Sequence, residues 1–237
     1  MVCKVLIIIP AYNEEKSILK TYNSIINYNK KHNTNFDVIV INDGSKDNTL
    51  KVLKDNNIPY ISLFQNLGIG GAVQTGYKYA LKNNYDIAVQ FDGDGQHDVN
   101  YISKIIKPII DKKANMVIGS RFIEKDFSDF KSSKMRRIGI SMISWLIEMK
   151  TNKKIYDTTS GFRAIDKSVI KFFSENYPVE YPEPISSVDL LLKKYTIREV
   201  AVKMNKREEG ISSISSWKSA YYMINVMLSI LLLRKVK

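Results

Sequence analysis

The sequence predicts an α/β fold, a mostly parallel sheet of Rossmann-like type covered by helices on both faces. Two observations carry that expectation. Short runs that are apolar throughout, such as Val5–Ile9 and Ile87–Phe91, alternate with longer stretches whose apolar residues recur at helical spacing. Strands buried on both faces read this way, whereas a one-sided strand would alternate polar and apolar residues. The chain also has 237 residues, 44% hydrophobic and 25% charged, which suits one ordinary core and argues against disorder.

Taken in order, Val5–Ile9 is the first strand, and Glu14 to Tyr28 follows as a helix with Ile18, Tyr22, Ile25 and Ile26 on one face. Asn13 is the expected cap of that helix, with acids in its first turn. Phe36–Ile41 and Tyr60–Phe64 read as strands flanking a short helix over Asp47–Lys54. Gly70–Leu81 and Tyr101–Ile110 read as helices, Ile87–Phe91 and Met116–Ile118 as strands. Residues 122–134 are polar and turn-like, which predicts a mobile loop. Arg136–Met149 reads as a helix with Ile138, Met142, Trp145, Leu146 and Met149 on one side. Asp157–Ala164 is a compact polar segment, Ile197–Met204 alternates as a strand, and Ser216–Leu233 closes the chain as an apolar helix. The expected division is a main domain over 1–215 and a C-terminal helical appendage over 216–237.

Cys3 is the single cysteine, which excludes an internal disulfide and a multi-cysteine zinc site. Val5–Ile9 stops at Pro10, too brief for the core of a secretory leader, and no stretch reaches the ~20 apolar residues of a spanning helix. The net charge is +12 and unevenly placed. Residues 1–130 hold sixteen basic and fourteen acidic side chains, residues 131–237 twenty and ten. An anion is therefore expected to meet the second half: a phosphate-bearing substrate, a membrane surface or a nucleic acid. A nucleic-acid reader is disfavoured, because basic and aromatic residues do not interleave in any recognised arrangement.

In parallel sheets ligands bind beyond the carboxyl ends of the strands, so the loops there carry the candidate chemistry. Asp43 stands at such an end, where a carboxylate can accept hydrogen bonds from a base or ribose. The glycine-rich turn Asn66–Gly71 lets backbone come close to a ligand or helix. No Gly-Lys-Ser/Thr follows it, so it is not a nucleoside-triphosphate loop. The strongest signal is Asp92-Gly93-Asp94-Gly95-Gln96-His97 after the fourth strand. Two carboxylates at the end of a buried strand are costly unless neutralised, and a divalent cation does this. Hard oxygen donors favour Mg²⁺ or Mn²⁺, which would also hold a substrate diphosphate, with His97 as a further ligand if the ion is Mn²⁺. An EF-hand is excluded, because its twelfth position would be Ser103. A nucleotidyltransferase also uses paired carboxylates, but no glycine-rich loop follows the first strand to receive a triphosphate.

Six blocks occur in order: Pro-Ala-Tyr-Asn-Glu at 10–14, Asn-Asp-Gly-Ser at 42–45, Asn66…Gly68…Gly71, Asp-Gly-Asp-Gly-Gln-His at 92–97, Gly-Ser-Arg at 119–121 and Thr-Ser-Gly-Phe-Arg-Ala at 159–164. Together they resemble family 2 glycosyltransferases of the GT-A fold, and within them the dolichyl- or polyprenyl-phosphate sugar transferases, over residues 4–215. The resemblance implies a UDP- or GDP-sugar donor, a divalent metal and inversion at the anomeric carbon. It implies that Pro10, Ala11, Tyr12 and Glu14 line the nucleoside pocket, that Asp43 contacts the base, and that Gly71 and Gly93 lie against the nucleotide sugar. Asp92, Asp94 and Gln96 would form the metal and diphosphate site. Arg121 would face a phosphate, Arg137 would hold the acceptor phosphate, and Ser160 to Arg163 would sit near the sugar. Arg207 and Ser212 resemble the later phosphate-binding segment of the family.

A hydroxyl acceptor needs a carboxylate base, whereas a phosphate is already ionised near neutral pH. The Glu-Asp pair that many family 2 enzymes carry is missing here; the region reads Tyr-Pro-Glu-Pro-Ile-Ser-Ser-Val-Asp at 181–189. Glu183, Asp189 and Asp157 remain candidate bases. The missing pair leans toward a polyprenyl phosphate; the alternative is a saccharide hydroxyl. Tyr221–Leu233 carries no charge and leads into Arg234, Lys235 and Lys237. This suits a helix in the interface of an anionic membrane, with a homo-oligomer or a small membrane protein as other covers, and a cytoplasmic-face, peripheral location.

Overall fold

A computed structural model describes residues 3–124, 134–205 and 216–233. Seven strands form one sheet: β1 (Val5–Ala11), β2 (Asp37–Asn42), β3 (Tyr60–Ser62), β4 (Ile87–Gln90), β5 (Met116–Ser120), β6 (Arg163–Asp166) and β7 (Ile197–Ala201). The order is β3-β2-β1-β4-β6-β5-β7. Every pairing is parallel except those of β6, which runs antiparallel to both β4 and β5. The mostly parallel sheet expected from the apolar runs is present. All seven residues of β1 are buried, and each such Ile contributes roughly 1.5–3 kcal/mol by leaving water.

Among the described residues eight α-helices cover the sheet: α1 (Ile18–His32), α2 (Thr49–Asp55), α3 (Gly68–Lys82), α4 (Ile102–Ile110), α5 (Lys134–Thr151), α6 (Lys167–Asn176), α7 (Pro182–Leu192) and α8 (Ser216–Leu232). Ile18 and Ile25 of α1, Leu53 of α2 and Ile102, Ile105 and Ile106 of α4 fill one face with Ile7, Ile9 and Val89. On the other face Val73 and Tyr77 of α3, Phe173 of α6 and Val188 of α7 pack on Leu6, Ile8 and Ile118. α5 and α8 join that second layer through Ile143, Ile147, Val226 and Ile230. Their axes come close at Gly139, where a Cβ would stand 1.6 Å from Met223 Sδ. Lys150 then ties the pair by donating to the Ile230 and Leu231 carbonyls at 2.5 and 2.8 Å.

Three expectations change. α1 starts four residues late, because Asn13 does not cap it. Asn13 is left-handed, with φ +57°, and its Oδ1 accepts from the Lys46 amide at 2.8 Å, tying the first loop to the second. Ile138, Met142, Trp145 and Met149 face outward on α5, while Ile140, Ile143 and Ile147, one turn around, face the core. The helix is apolar on two faces, and periodicity cannot tell which is inner. β7 ends at Ala201; Met204 returns as an isolated bridge to His97. Where the sequence predicts another strand or helix after Asp157–Ala164, the chain has both: β6 starts at Arg163, and α6 and α7 follow it. Of the loop expected over 122–134, residues 125–133 lie outside the described residues. Among the described residues no helix is long and apolar enough to cross a membrane.

Candidate active site

The loops after β1, β2 and β4 meet at one edge of the sheet, as a parallel arrangement requires. Pro10 and Ala11 end β1 in buried positions, Tyr12 is 41% exposed, and Glu14 donates its amide to Thr49 Oγ1 at 2.8 Å. Asp43 follows β2 and is buried, and its Oδ1 accepts from the Leu67 amide at 2.8 Å. Burial pushes its carboxyl above the usual carboxylate range, against the opposing amides of Leu67 and Gly68. The glycine-rich turn thus latches onto Asp43, and Gly71 lies buried in the first turn of α3.

β4 delivers the acidic loop. The Asp92 side chain is 34% exposed. Asp94 Oδ1 accepts from the Gln96 amide at 3.0 Å, which curls the loop, with Gly95 left-handed at φ +75°. Gly93 is buried, and its carbonyl accepts from Thr21 Oγ1 at 3.1 Å. His97 lies beneath, its ring stacked 4.8 Å from Phe162. Its Nδ1 accepts from the Asp92 amide at 3.0 Å, and its Nε2 is 3.4 Å from Asp92 Oδ2. Burial lowers the His97 pKa against the pull of Asp92 and Asp94, so the ring is neutral. With Nδ1 accepting, the proton is on Nε2, which braces Asp92 and has no lone pair for a metal. His97 therefore does not serve as a ligand in this arrangement.

Among the described residues no group of three or more His, Cys, Asp or Glu forms a metal cage. Two carboxylates and the Gln96 amide nevertheless fit Mg²⁺ or Mn²⁺, which commonly take one or two protein carboxylates and leave the other positions to phosphate and water.

Behind Asp92 the reversed strand β6 supplies a wall. Gly161 is required there, since a Cβ would come 2.9 Å from both Asp92 Oδ2 and Gln90 Nε2. Arg121 is buried and bidentate to Asp157, both contacts at 2.7 Å, with a further bond to Thr159 Oγ1 at 2.9 Å. Burial opposes the Arg121 charge, but Asp157 outweighs it and raises the guanidinium's pKa. Asp157 is fully buried, and its backbone amide is held at 2.8 Å by Glu199, whose carboxyl burial pushes up. Asp157 is thus committed to Arg121 and is not placed to act as a base.

Glu183 sits partly buried in the first turn of α7. Burial pushes its carboxyl above the usual range, and Arg163 pulls it back. Asp189, raised by burial against Lys193, lies farther along α7. Arg137 is exposed on α5 and lines a groove of about 310 Å³ with Phe122, Ser144, Trp145 and Lys154. Phe122, on the same groove, has its ring centroid 5.2 Å from the Arg121 guanidinium carbon. Arg207 and Ser212 lie outside the described residues; just before them, the Asn205 amide donates to Gln96 O at 2.8 Å. The structure thus gathers Pro10 to Glu14, Asp43 and Gly71 around linked loops, and sets Asp92 beside the wall of β6. Arg137 is carried by α5, on the groove it shares with Phe122. Sequence reasoning missed Glu199 and the placement of Gln90. The signals were an acid inside β7 and an amide inside the apolar run of β4.

An open α/β sheet with an Asp-x-Asp turn at the end of its central strand is the arrangement of the GT-A fold. Residues 6–173 match the family model of glycosyl transferase family 2, and the chain belongs to that family. A UDP-N-acetylglucosamine–dolichyl-phosphate N-acetylglucosaminyltransferase of Methanococcus voltae is 36% identical over 83% of this chain and 84% of its own. A dolichyl-phosphate β-glucosyltransferase of Trichomonas vaginalis is 30% identical over 88% of this chain and 68% of its own. These relatives put the chain in the polyprenyl-phosphate sugar transferase branch. The fold is shared with glucosyl-3-phosphoglycerate synthase of Mycobacterium tuberculosis, solved with Mn²⁺, UDP and phosphoglyceric acid. That match has a TM-score of 0.70 and 16% identity, over 97% of this chain and 78% of the other. Mannosyl-3-phosphoglycerate synthase of Rubrobacter xylanophilus matches at TM-score 0.72 and 13% identity, over 99% and 77%.

Proposed function

We propose that this glycosyltransferase moves a hexose or N-acetylhexosamine, with inversion, from a UDP- or GDP-sugar to a polyprenyl phosphate at a membrane surface. The observation that carries the reading is the Asp92–Asp94 turn, open at the end of β4 in a chain whose named relatives use dolichyl phosphate. Pro10, Ala11, Tyr12, Glu14, Asp43, Gly71 and Gly93 bind the nucleotide part. Asp92, Asp94 and Gln96 would hold Mg²⁺ or Mn²⁺, which when bound offsets the charge gathering on the leaving diphosphate. An oxygen of the acceptor phosphate attacks the anomeric carbon as the bond to the diphosphate breaks, and the electron pair leaves with the diphosphate. The phosphate is already ionised, so no base is needed. Arg137, with Arg207 and Ser212, receives the acceptor phosphate; Arg121 backs that side from its pair with Asp157. Glu183 faces the donor sugar.

The outward faces of α5 and α8 support the membrane surface as partner. Ile138, Met142, Trp145 and Met149 on one helix and Ile224, Leu228, Leu231 and Leu232 on the other are all more than 45% exposed. Exposed apolar patches of this kind mark interaction sites, and basic residues at the helix ends suit anionic lipid, on the cytoplasmic face. Glu183 keeps a second reading in play. A carboxyl raised by burial in the first turn of α7 also suits a base for a saccharide hydroxyl. Incubating UDP-, GDP- and dTDP-sugars with Mg²⁺ or Mn²⁺ and either polyprenyl phosphate or an oligosaccharide tests both. Lipid-linked product supports the first reading, and product on the oligosaccharide alone replaces it with the second.

A further inference from the structure

Arg163 is 1% exposed, among the largest fully buried side chains of the protein, and no step above uses it. Burying a guanidinium is costly unless its donors are placed for a purpose. Arg163 opposes Gln90 in the β4–β6 register, so the two side chains share a face of the sheet. Its Nε donates to Ser160 O at 2.7 Å and its Nη1 to Ser186 Oγ at 3.0 Å. Among the described residues neither Arg163 Nη2 nor Gln90 Oε1 has a hydrogen-bond partner.

One engaged arm leads toward the acidic loop and the other to the start of α7. Ser160 precedes Gly161, whose missing side chain leaves room at Asp92. Ser186 passes the contact on by donating to Glu183 O at 3.2 Å, joined by Ser187 at 2.8 Å. Tyr181, just ahead of α7, is left-handed at φ +52°, ψ +49°. Such a backbone persists only where its surroundings enforce it. The guanidinium is a strut between the β6 wall and the start of α7.

We propose that Arg163 is a positioning residue: it fixes the first turn of α7, and with it Glu183, against the Asp92 loop. This rests on the sugar-transfer reading, in which Glu183 faces the donor. The test measures transfer from UDP-N-acetylglucosamine to polyprenyl phosphate with Mn²⁺, and donor binding by calorimetry. The variants are Ser186→Ala and Arg163→Lys, each alone and combined with Glu183→Gln. Ser186→Ala leaves the charge in place and decides the matter if Arg163→Lys does not fold. In each single variant kcat falls about tenfold while donor KM stays within about threefold, and neither change adds to the loss already caused by Glu183→Gln. Losses that multiply in the Glu183→Gln background, or that fall on KM alone, overturn the proposal. If the wild-type chain binds the donor without transferring it to polyprenyl phosphate, the polyprenyl-phosphate reading fails, and the same cycle is run in turnover with the oligosaccharide acceptor, with the same two outcomes. A wild-type chain that neither binds nor transfers refutes the sugar-transfer reading itself, and the strut's purpose with it.

Discussion

The sheet edge that holds Asp43 and Asp92 and the helical pair α5–α8 solve opposite problems. At the sheet edge β1 and β4 are buried throughout and β2 in all but Asp37, and polar side chains tie the loops together and within themselves: Asn13 to Lys46, Asp43 to Leu67, and His97 to Asp92 inside the acidic loop. The helical pair has an inner face that completes the core and an outer face that is almost as apolar. The first region is finished by the chain itself. In the reading proposed above a membrane surface covers the second, and the difference would separate residues that build a reaction centre from residues that bring it to its acceptor.

The sharpest way to break that division is at Asp94. Asp94→Ala is expected to remove turnover by at least ~10³-fold while the melting curve is kept, because in the proposed reading it deletes a carboxylate that would hold the leaving group's counter-ion. Activity that persists in this variant, or in the presence of EDTA, sinks the metal-assisted reading. Next comes Asp157→Ala, which strands the Arg121 guanidinium in a dry site. Breaking such a pair costs about 3–5 kcal/mol, which should lower Tm by roughly 10 °C in a domain of this size. An unchanged Tm would mean that Arg121 finds other partners. The pair Trp145→Ser and Leu228→Ser acts on the other region. Binding to anionic vesicles should drop about tenfold or more, since each side chain carries on the order of 2 kcal/mol of apolar burial. Unaltered vesicle binding together with a shift in oligomeric state would assign that face to a second copy. Asn13→Ala is the mildest, expected to cost about 1 kcal/mol in a denaturant titration by cutting one tie between the first two loops.

Much of the first region was legible because it obeys local rules. Val5–Ile9 and Ile87–Phe91 are apolar on both faces, so their strands and the loops beyond them could be placed without tertiary information. Asp92 and Asp94 stood out because carboxylates rarely follow such a run without a reason. The second region resisted. Ile138, Met142, Trp145 and Met149 share helical spacing with Ile140, Ile143 and Ile147, and spacing alone does not say which stripe the core takes. The antiparallel insertion of β6 and the partners of Arg121 and Arg163 depend on contacts across dozens of residues, which no window of sequence contains. Asn13 suits a cap and a left-handed turn equally well, and only the Lys46 amide 33 residues away decides between them.

Because β6 is inserted in the reverse direction, the wall beside Asp92 is made where that strand begins, whereas the acidic turn is made where β4 finishes. The two stretches facing one another therefore belong to separate connections, hinged on different helices. Exchanging residues 157–162 for those of a cousin can reshape one side of the cleft while the strand register under the opposite side stays as it is.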